Sequence, residues 1–122
     1  MSHIVQIQTE VRDPEAIRIS CERLNLAPPQ QGKFQLFASE VSGIGIQLSG
    51  WRYPVVCQIE SGELSYDNYA GRWGEQLHLN KFLQAYAISK ATIEAHKLGH
   101  SVTEQQLEDS SIKLTIQVGG AR

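Results

Sequence analysis

Residues 65–74 hold the densest group of side chains in this 122-residue chain that could do chemistry. They read Ser, Tyr, Asp, Asn, Tyr, Ala, Gly, Arg, Trp, Gly. Arg72 offers a planar fork for a carboxylate or phosphate, Trp73 offers a ring for stacking, and Asp67 offers an acceptor or a base. If these side chains converge, they predict a binding site for a polar ligand.

The same segment is also typical of a structured turn. In that interpretation Asp67 and Asn68 hydrogen-bond to the backbone, the two glycines take special dihedral angles, and Trp73 packs on the core beside Trp51. The sequence leaves both interpretations open. The candidate ligand-binding or interaction residues are Trp51, Asp67, Asn68, Tyr69, Arg72 and Trp73.

Other motifs for catalysis or metal binding are missing from the sequence. The four histidines, at positions 3, 78, 96 and 100, lack the spacing and the neighbouring acids of a zinc site, so we expect surface or capping roles. Cys57 lies in an apolar run that favours an inert thiol. No GxSxG or GxxxxGK[ST] motif occurs. We therefore assign no catalytic residue, no metal and no cofactor.

Composition narrows the class of protein. The formal net charge is −2, from 11 Lys plus Arg against 13 Asp plus Glu, which disfavours nucleic acid as a partner. No apolar run is long enough for a membrane helix, and the first residues lack the pattern of a signal peptide. We expect a cytoplasmic protein in which Cys21 and Cys57 are reduced core residues, although a disulfide between them is the alternative.

The first part of the chain predicts a strand and a short helix. Residues 3–9 alternate between apolar and polar side chains, as a strand does. Asp13, Pro14 and Glu15 combine an N-cap acceptor, a residue preset for the first turn and an acid near the positive end of the helix dipole. Apolar residues then recur at helical spacing as far as Leu24.

The middle of the chain predicts β-structure. Residues 28–32 predict a loop that leads into a strand around 34–41. Residues 43–48 alternate and predict a strand with three apolar side chains on one face. Residues 53–59 and 63–69 predict a hairpin.

A long helix is predicted from Glu75 to Leu98, closed by Gly99. One apolar stripe along it contains Leu79, Phe82, Leu83, Tyr86 and Ile93. A second contains Ile88, Ala91, Ala95 and Leu98. Together the two stripes form an apolar arc that is wider than packing against one face of a sheet requires. Either the helix is sunk between other elements, or its second stripe contacts another protein. The candidate partner face consists of Ile88, Ala91 and Ala95.

The end of the chain predicts a closing hairpin from residues 101–107 and 112–118. Runs of strands, rather than strict alternation with helices, favour an α+β fold. We therefore predict one domain, residues 1–122, with a mainly antiparallel sheet of about six to seven strands and one short and one long helix packed on it.

Several blocks of sequence resemble one small family. The blocks are Ser2–Ile4 with Val11–Asp13, Asp67–Tyr69 with Arg72–Gly74, Phe82–Tyr86, and Asp109–Leu114. The family is the uncharacterised domain-of-unknown-function family of small bacterial proteins that includes a hypothetical chloroplast reading frame. The resemblance implies no activity, cofactor or catalytic residue. It implies a gene that lies near the genes for an AAA-type ATPase and for a small companion protein, which suits an accessory or adaptor role.

Two hypotheses of function follow. The first is a non-catalytic protein that binds a protein partner, such as an AAA-type ATPase or the companion protein, through the second stripe of the long helix and the region of Trp51 and Tyr69 to Trp73. The alternative is a small-molecule-binding or enzymatic domain that uses the cluster from Asp67 to Trp73. A homo-oligomer, formed through an edge strand or the long helix, is compatible with either hypothesis.

Overall fold

A computed structural model describes residues 5–119 of the chain. The elements in order are β1 (Val5–Gln8), α1 (Pro14–Arg23), β2 (Gln30–Gln35), β3 (Glu40–Ile46), β4 (Val55–Gln58), β5 (Glu63–Tyr66), a 3-10 turn (Tyr69–Gly71), α2 (Gln76–Lys97), β6 (Ser101–Gln106) and β7 (Ile112–Gln117). The first block of the family resemblance, Ser2–Ile4, lies outside the described residues, and so does His3.

The predicted α+β class is confirmed. Five strands form an antiparallel sheet in the order β1-β5-β4-β3-β2, and β6 and β7 form a separate two-stranded sheet. The described strands thus reach the predicted number but are divided between two sheets. The predicted hairpins, β4 with β5 and β6 with β7, are both present.

The prediction of one strand around residues 34–41 is wrong. The chain turns within that range, where the Leu36 amide donates to the Ser39 carbonyl at 2.8 Å. The strand before the turn is β2, which begins at Gln30 and pairs Gly32 with Gly43 of β3. The proline and glycine residues before residue 33 predict a loop, but the pairing of β2 with β3 overrides this local preference for a loop.

Helix α1 begins as predicted. The Asp13 carboxylate accepts hydrogen bonds from the amides of Glu15 (2.9 Å) and Ala16 (3.4 Å), so it caps the first turn. The helix ends just before Asn25, which takes the left-handed conformation (φ 58°). Its buried side faces α2, where the Ser20 hydroxyl lies 3.4 Å from that of Ser89.

Helix α2 packs its first stripe into the main core. Leu79, Phe82 and Tyr86 belong to one buried cluster with apolar residues of α1 and of the five-stranded sheet. The Tyr86 hydroxyl accepts hydrogen bonds from the amides of Arg12 (3.1 Å) and Asp13 (3.0 Å). The middle of α2 is therefore tied to the segment that enters α1.

The second stripe of α2, predicted as a partner face, is largely used inside the chain. Ile88 and Ala95 are buried, and Ala91 is half-buried. The same side of the helix carries Gln84, whose amide nitrogen lies 3.4 Å from the Ser110 carbonyl in the β6–β7 turn, and α2 also contacts β6. Contact with the hairpin therefore accounts for part of the wide apolar arc, whereas Leu98 at the end of this stripe is 72% exposed.

Candidate binding surface

Asp67 and Asn68 brace the loop that joins β5 to α2. The Asp67 carboxylate accepts from the Tyr69 amide at 3.2 Å. The Asn68 side-chain amide donates a hydrogen bond to the Gly74 carbonyl at 3.1 Å, and the backbone carbonyl of Asn68 accepts hydrogen bonds from the amides of Gly71 (3.0 Å) and Trp73 (2.9 Å). Both side chains are buried. They therefore have the structural role in a turn that is one of the two interpretations stated above.

This loop holds two consecutive non-glycine residues in the left-handed region. Tyr69 has φ 46° and Ala70 has φ 52°. For residues with a Cβ this conformation costs about 1–2 kcal/mol each relative to the right-handed form. The strain turns the chain so that the Tyr69 ring meets the Trp73 ring, with centroids 4.8 Å apart. Backbone strain of this kind is concentrated at functional sites, so the loop is a reasonable place to look for one.

Trp51 lies in the core beneath the loop. Its indole nitrogen donates to the Glu75 carbonyl at 3.0 Å, and its ring meets the edge of Tyr66 at 5.6 Å. Gly74 packs directly against the indole, because a Cβ added there would lie 2.5 Å from the indole Cγ. Trp51 therefore fixes the end of the loop from below and is itself buried.

Trp73 lies at the centre of an aromatic group at the surface. Its ring is 5.1 Å from that of Phe37, 5.5 Å from Tyr53 and 4.8 Å from Tyr69, measured between centroids. Phe37 comes from the β2–β3 turn and Tyr53 from the segment before β4. Phe37 is 53% exposed, and the other three are half-buried. Three separate loops thus supply one aromatic surface.

Two exposed arginines complete this surface. The Arg52 guanidinium lies 5.1 Å from the Trp73 ring and 5.6 Å from the Tyr53 ring, and that of Arg72 lies 5.0 Å from the Tyr69 ring. The Arg52 amide also donates to the Trp73 carbonyl at 2.8 Å, which ties two of the loops together. We call this group the aromatic–arginine cluster. Its members are Phe37, Arg52, Tyr53, Tyr69, Arg72 and Trp73.

The charge of these two arginines is not neutralised within the described part of the chain. Arg12, Arg18 and Arg23 each contact a glutamate carboxylate. No ion pair among residues 5–119 includes Arg52 or Arg72. The cluster therefore combines apolar ring surface with two guanidiniums whose hydrogen-bond donors face solvent.

The structure divides the predicted site residues into two groups. Tyr69, Arg72 and Trp73 meet at the surface, whereas Trp51, Asp67 and Asn68 support them from the interior. Asp67 is fully buried and Arg72 is exposed, so the two do not line one pocket. The ring of Trp73 contacts the surface cluster and does not pack beside Trp51, in contrast to the packing expected for a structured turn.

Sequence reasoning missed Phe37, Arg52 and Tyr53. The first lies far from residues 65–74 along the chain, and no periodic pattern links the three positions to that segment. The registers place the segment before β4 at the same end of the sheet as the loop after β5. Phe37 instead reaches Trp73 from the β2–β3 turn, which follows the opposite ends of the paired strands, so strand order alone does not predict this contact. The adjacent Arg52 and Tyr53 beside Trp51 were the available signal.

The two cysteines and His100 lie apart from the aromatic–arginine cluster. Cys21 and Cys57 are buried free thiols. Burial raises the pKa of Cys21 to about 11 and, with a smaller effect of Cys21, that of Cys57 to about 12, so both stay protonated at neutral pH. His100 accepts from the Gly119 amide at 2.9 Å. Within residues 5–119 no three His, Cys, Asp or Glu side chains are placed to hold a metal ion.

Comparison with known protein families, with curated protein sequences and with solved structures finds no match to this chain. None of the described helices is both long and apolar enough to cross a membrane.

Proposed function

We propose that this chain is a non-catalytic binding domain and that it binds a protein partner through the aromatic–arginine cluster. The observation that carries the proposal is the convergence of four aromatic rings and two arginines without carboxylate partners on one surface. The buried residues Asp67, Asn68 and Trp51 then serve to hold the loop that presents this surface.

The composition of the cluster supports binding of a protein. Tryptophan, tyrosine and arginine are the residue types most enriched among those that dominate binding energy at protein interfaces. Rings that already contact one another lose little conformational freedom on binding, so the surface is preorganised. Exposed Phe37 at its border extends the apolar area that a partner would cover.

The charge of the cluster defines the chemistry of the partner. The guanidinium groups of Arg52 and Arg72 are hydrogen-bond donors, and no carboxylate among the described residues pairs with either of them. The chain as a whole nevertheless carries a net negative charge. A complementary segment would place carboxylates against these two side chains and an apolar or aromatic side chain against Trp73. We therefore propose an acidic segment with apolar anchors on the partner protein.

An AAA-type ATPase, or the small companion protein, is the partner that we propose from the family resemblance. That resemblance includes Asp67–Tyr69 and Arg72–Gly74, the loop that builds half of the cluster. An accessory or adaptor role for this domain is consistent with such a partner.

The proposal is tested by native purification of tagged variants from the host, followed by quantitative mass spectrometry of the proteins that accompany them. We expect a stoichiometric partner that is lost when Trp73→Ala and Arg72→Glu are introduced. Leu77→Ala is the matched control, because Leu77 is as exposed as Phe37 (53% each) but lies on α2 outside the cluster. A partner retained by Trp73→Ala and Arg72→Glu would contradict the proposal.

The alternative function, a small-molecule site built from Asp67, Tyr69 and Arg72, has less geometric support. Asp67 is fully buried, where its Oδ1 accepts a hydrogen bond from the Tyr69 amide and its Oδ2 has no partner among the described residues, so the carboxylate does not reach the exposed side chain of Arg72. Native mass spectrometry of the purified chain distinguishes the two. A bound small molecule that is lost in Arg72→Ala would favour the alternative over a protein partner.

A further inference from the structure

The five-stranded sheet is buried on both of its faces. The strand residues that pack on the helices include every second residue of β4 and β5, namely Val55, Cys57, Leu64 and Tyr66. Val56 and Ser65 alternate with these residues and lie opposite each other in the ladder, so both point to the outer face of the sheet, away from the helices. Both are nevertheless fully buried. Another part of the chain must therefore cover the outer face.

The β2–β3 hairpin bends over this outer face. Phe34 pairs with Val41, and Gly45 lies four residues farther along β3, beside Val56 of β4. In a straight ladder that offset is roughly 13 Å, which is farther than a phenylalanine side chain can reach. The Phe34 ring nonetheless lies on Gly45, because a Cβ added there would be 2.6 Å from a ring carbon. The hairpin is therefore folded back onto the sheet.

The bend lies between these positions, where Gly32 pairs with Gly43. Glycine inside a strand is typical of a bend or of a close approach of two backbones. At Gly43 the approach is close, since an added Cβ would be 2.5 Å from the Cys57 carbonyl oxygen. The bend returns the tip of the hairpin across the sheet, so that the Phe37 ring meets the Trp73 ring with centroids 5.1 Å apart.

Beyond the glycine pair, side chains rather than strand pairing join the hairpin to the sheet. Strand β3 pairs with β4 only over residues 44–46, and β2 pairs only with β3 among the described strands. Residues 33–42 thus have no ladder hydrogen bond to β4. The tip is held instead by Leu36, which is fully buried, and by Phe37, which is 53% exposed and contacts Trp73.

Two polar groups on the covered side of the sheet lack hydrogen-bond partners. The Ser65 hydroxyl and the Oδ2 atom of Asp67 are buried and form no hydrogen bond among the described residues. A buried acceptor that has lost water without gaining a partner destabilises the state that buries it. Exposure of these two groups to water would therefore offset part of the cost of lifting the tip.

We infer that the β2–β3 hairpin is a flap, hinged at the glycine pair, that opens from the outer face while the rest of the sheet stays folded. Opening exposes Ser65 and Asp67 to water and withdraws Phe37 from Trp73. The flap thus assembles and disassembles the aromatic–arginine cluster, and this regulatory role depends on the function proposed above. A partner that requires the complete cluster binds only the closed fraction of the protein.

The test compares two thiols on opposite faces of the sheet in the full chain without a partner. Ser65→Cys places a thiol under the flap in a side chain of similar shape. Native Cys57 lies on the face that packs on the helices. A thiol-specific reagent is added to folded protein, and mass spectrometry of peptides gives the labelling rate at each position, divided by its rate in urea. Val56→Cys, opposite Ser65 in the ladder, is a second probe of the same face.

We expect the thiols of Ser65→Cys and of Val56→Cys to be labelled about tenfold or more faster than Cys57, because a local opening requires less free energy than global unfolding. Adding Phe37→Ala should raise the rate under the flap by a further roughly three- to tenfold and leave Cys57 unchanged. Leu77→Ala is the matched control, because Leu77 is also 53% exposed but lies on α2. It should change neither rate. Circular dichroism verifies that each variant is folded.

Equal labelling rates on the two faces would overturn the inference, since both thiols would then be exposed only by global unfolding. A Phe37→Ala effect of the same size at Cys57 would overturn it for the same reason. An unchanged rate under the flap in Phe37→Ala would show that the tip does not control access to this face. These rates are measured on the free chain, so they test the flap separately from the proposed binding of a partner.

Discussion

At the scale of single residues, the loop from Asp67 to Gly74 is built by constraints on the backbone. Tyr69 and Ala70 lie in the left-handed region, and Gly74 is in contact with the Trp51 indole. These features place the ring of Tyr69 and the ring of Trp73 side by side. Each of them can be tested by a substitution that changes one physical quantity.

Ala70→Gly should stabilise the protein by about 0.5–1 kcal/mol. Glycine removes the left-handed penalty at φ 52°, and this gain exceeds the entropy that glycine adds to the unfolded chain. The matched control is Ala87→Gly, at an exposed position inside α2, which should destabilise by about 1 kcal/mol. Urea denaturation followed by circular dichroism measures both. Destabilisation by Ala70→Gly would contradict the described backbone of the loop.

Gly74→Ala should destabilise the protein by about 1–3 kcal/mol, because the added methyl group overlaps the Trp51 indole. Gly32 in β2 is the control, since a Cβ added at that position would contact no other atom within 4 Å. Gly32→Ala should be neutral or slightly stabilising. Denaturation monitored by tryptophan fluorescence compares the two. Similar stabilities for both variants would mean that Gly74 and Trp51 are not in contact.

The two thiols should be unreactive in the folded protein. Burial raises the pKa of Cys21 to about 11 and that of Cys57 to about 12, so almost no thiolate is present near pH 8. A thiol-specific chromogenic reagent should label neither cysteine until urea unfolds the chain, and should then label both. Rapid labelling without denaturant would place a thiol at the surface.

At the scale of elements, one carboxylate joins the two helices. Asp13 caps α1 and lies 3.0 Å from the Lys90 ammonium on α2. Burial raises the pKa of Asp13, but the hydrogen bond from Lys90 and those from the Glu15 and Ala16 amides outweigh burial. The net pKa therefore lies below the ordinary 3.8. A lowered pKa in the folded state stabilises the fold at neutral pH.

Asp13→Asn isolates this contribution, because asparagine keeps a side-chain oxygen for the cap and loses only the charge. We expect the wild type to be more stable than Asp13→Asn at all pH values above the ordinary pKa of 3.8. The difference should disappear as the pH falls through the lowered pKa of folded Asp13. Denaturant titrations over a series of acidic pH values measure it. A difference that persists in strong acid would rule out the carboxylate as its source.

At the scale of the whole molecule, sequence patterns predicted most elements but not how they meet. Capping residues and helical spacing located α1 and α2, because these signals are local. The strand predicted around residues 34–41 failed because β2 is defined by its pairing with β3. The partner face of Ile88, Ala91 and Ala95 stays a prediction: Ile88 and Ala95 are buried and Ala91 is half-buried, on a helix that also contacts the closing hairpin.

The same limit applies to the candidate site. The segment from Ser65 to Gly74 was recognisable by its density of functional groups, and half of the aromatic–arginine cluster comes from it. The other half comes from Phe37, Arg52 and Tyr53, which only the tertiary fold brings near Trp73. Local patterns carry no information on such long-range contacts.

The measurement that tests the central claim most directly is site-specific photo-crosslinking in the living host. A photoreactive phenylalanine analogue is introduced at Phe37 in the cluster or at Leu77 outside it, two side chains of equal exposure. We expect the analogue at position 37 to crosslink to one protein and the analogue at position 77 to crosslink to none. The crosslink at position 37 should be lost when Arg52→Glu and Arg72→Glu are added. Equal crosslinking at both positions, or a crosslink that survives the two charge reversals, would contradict it.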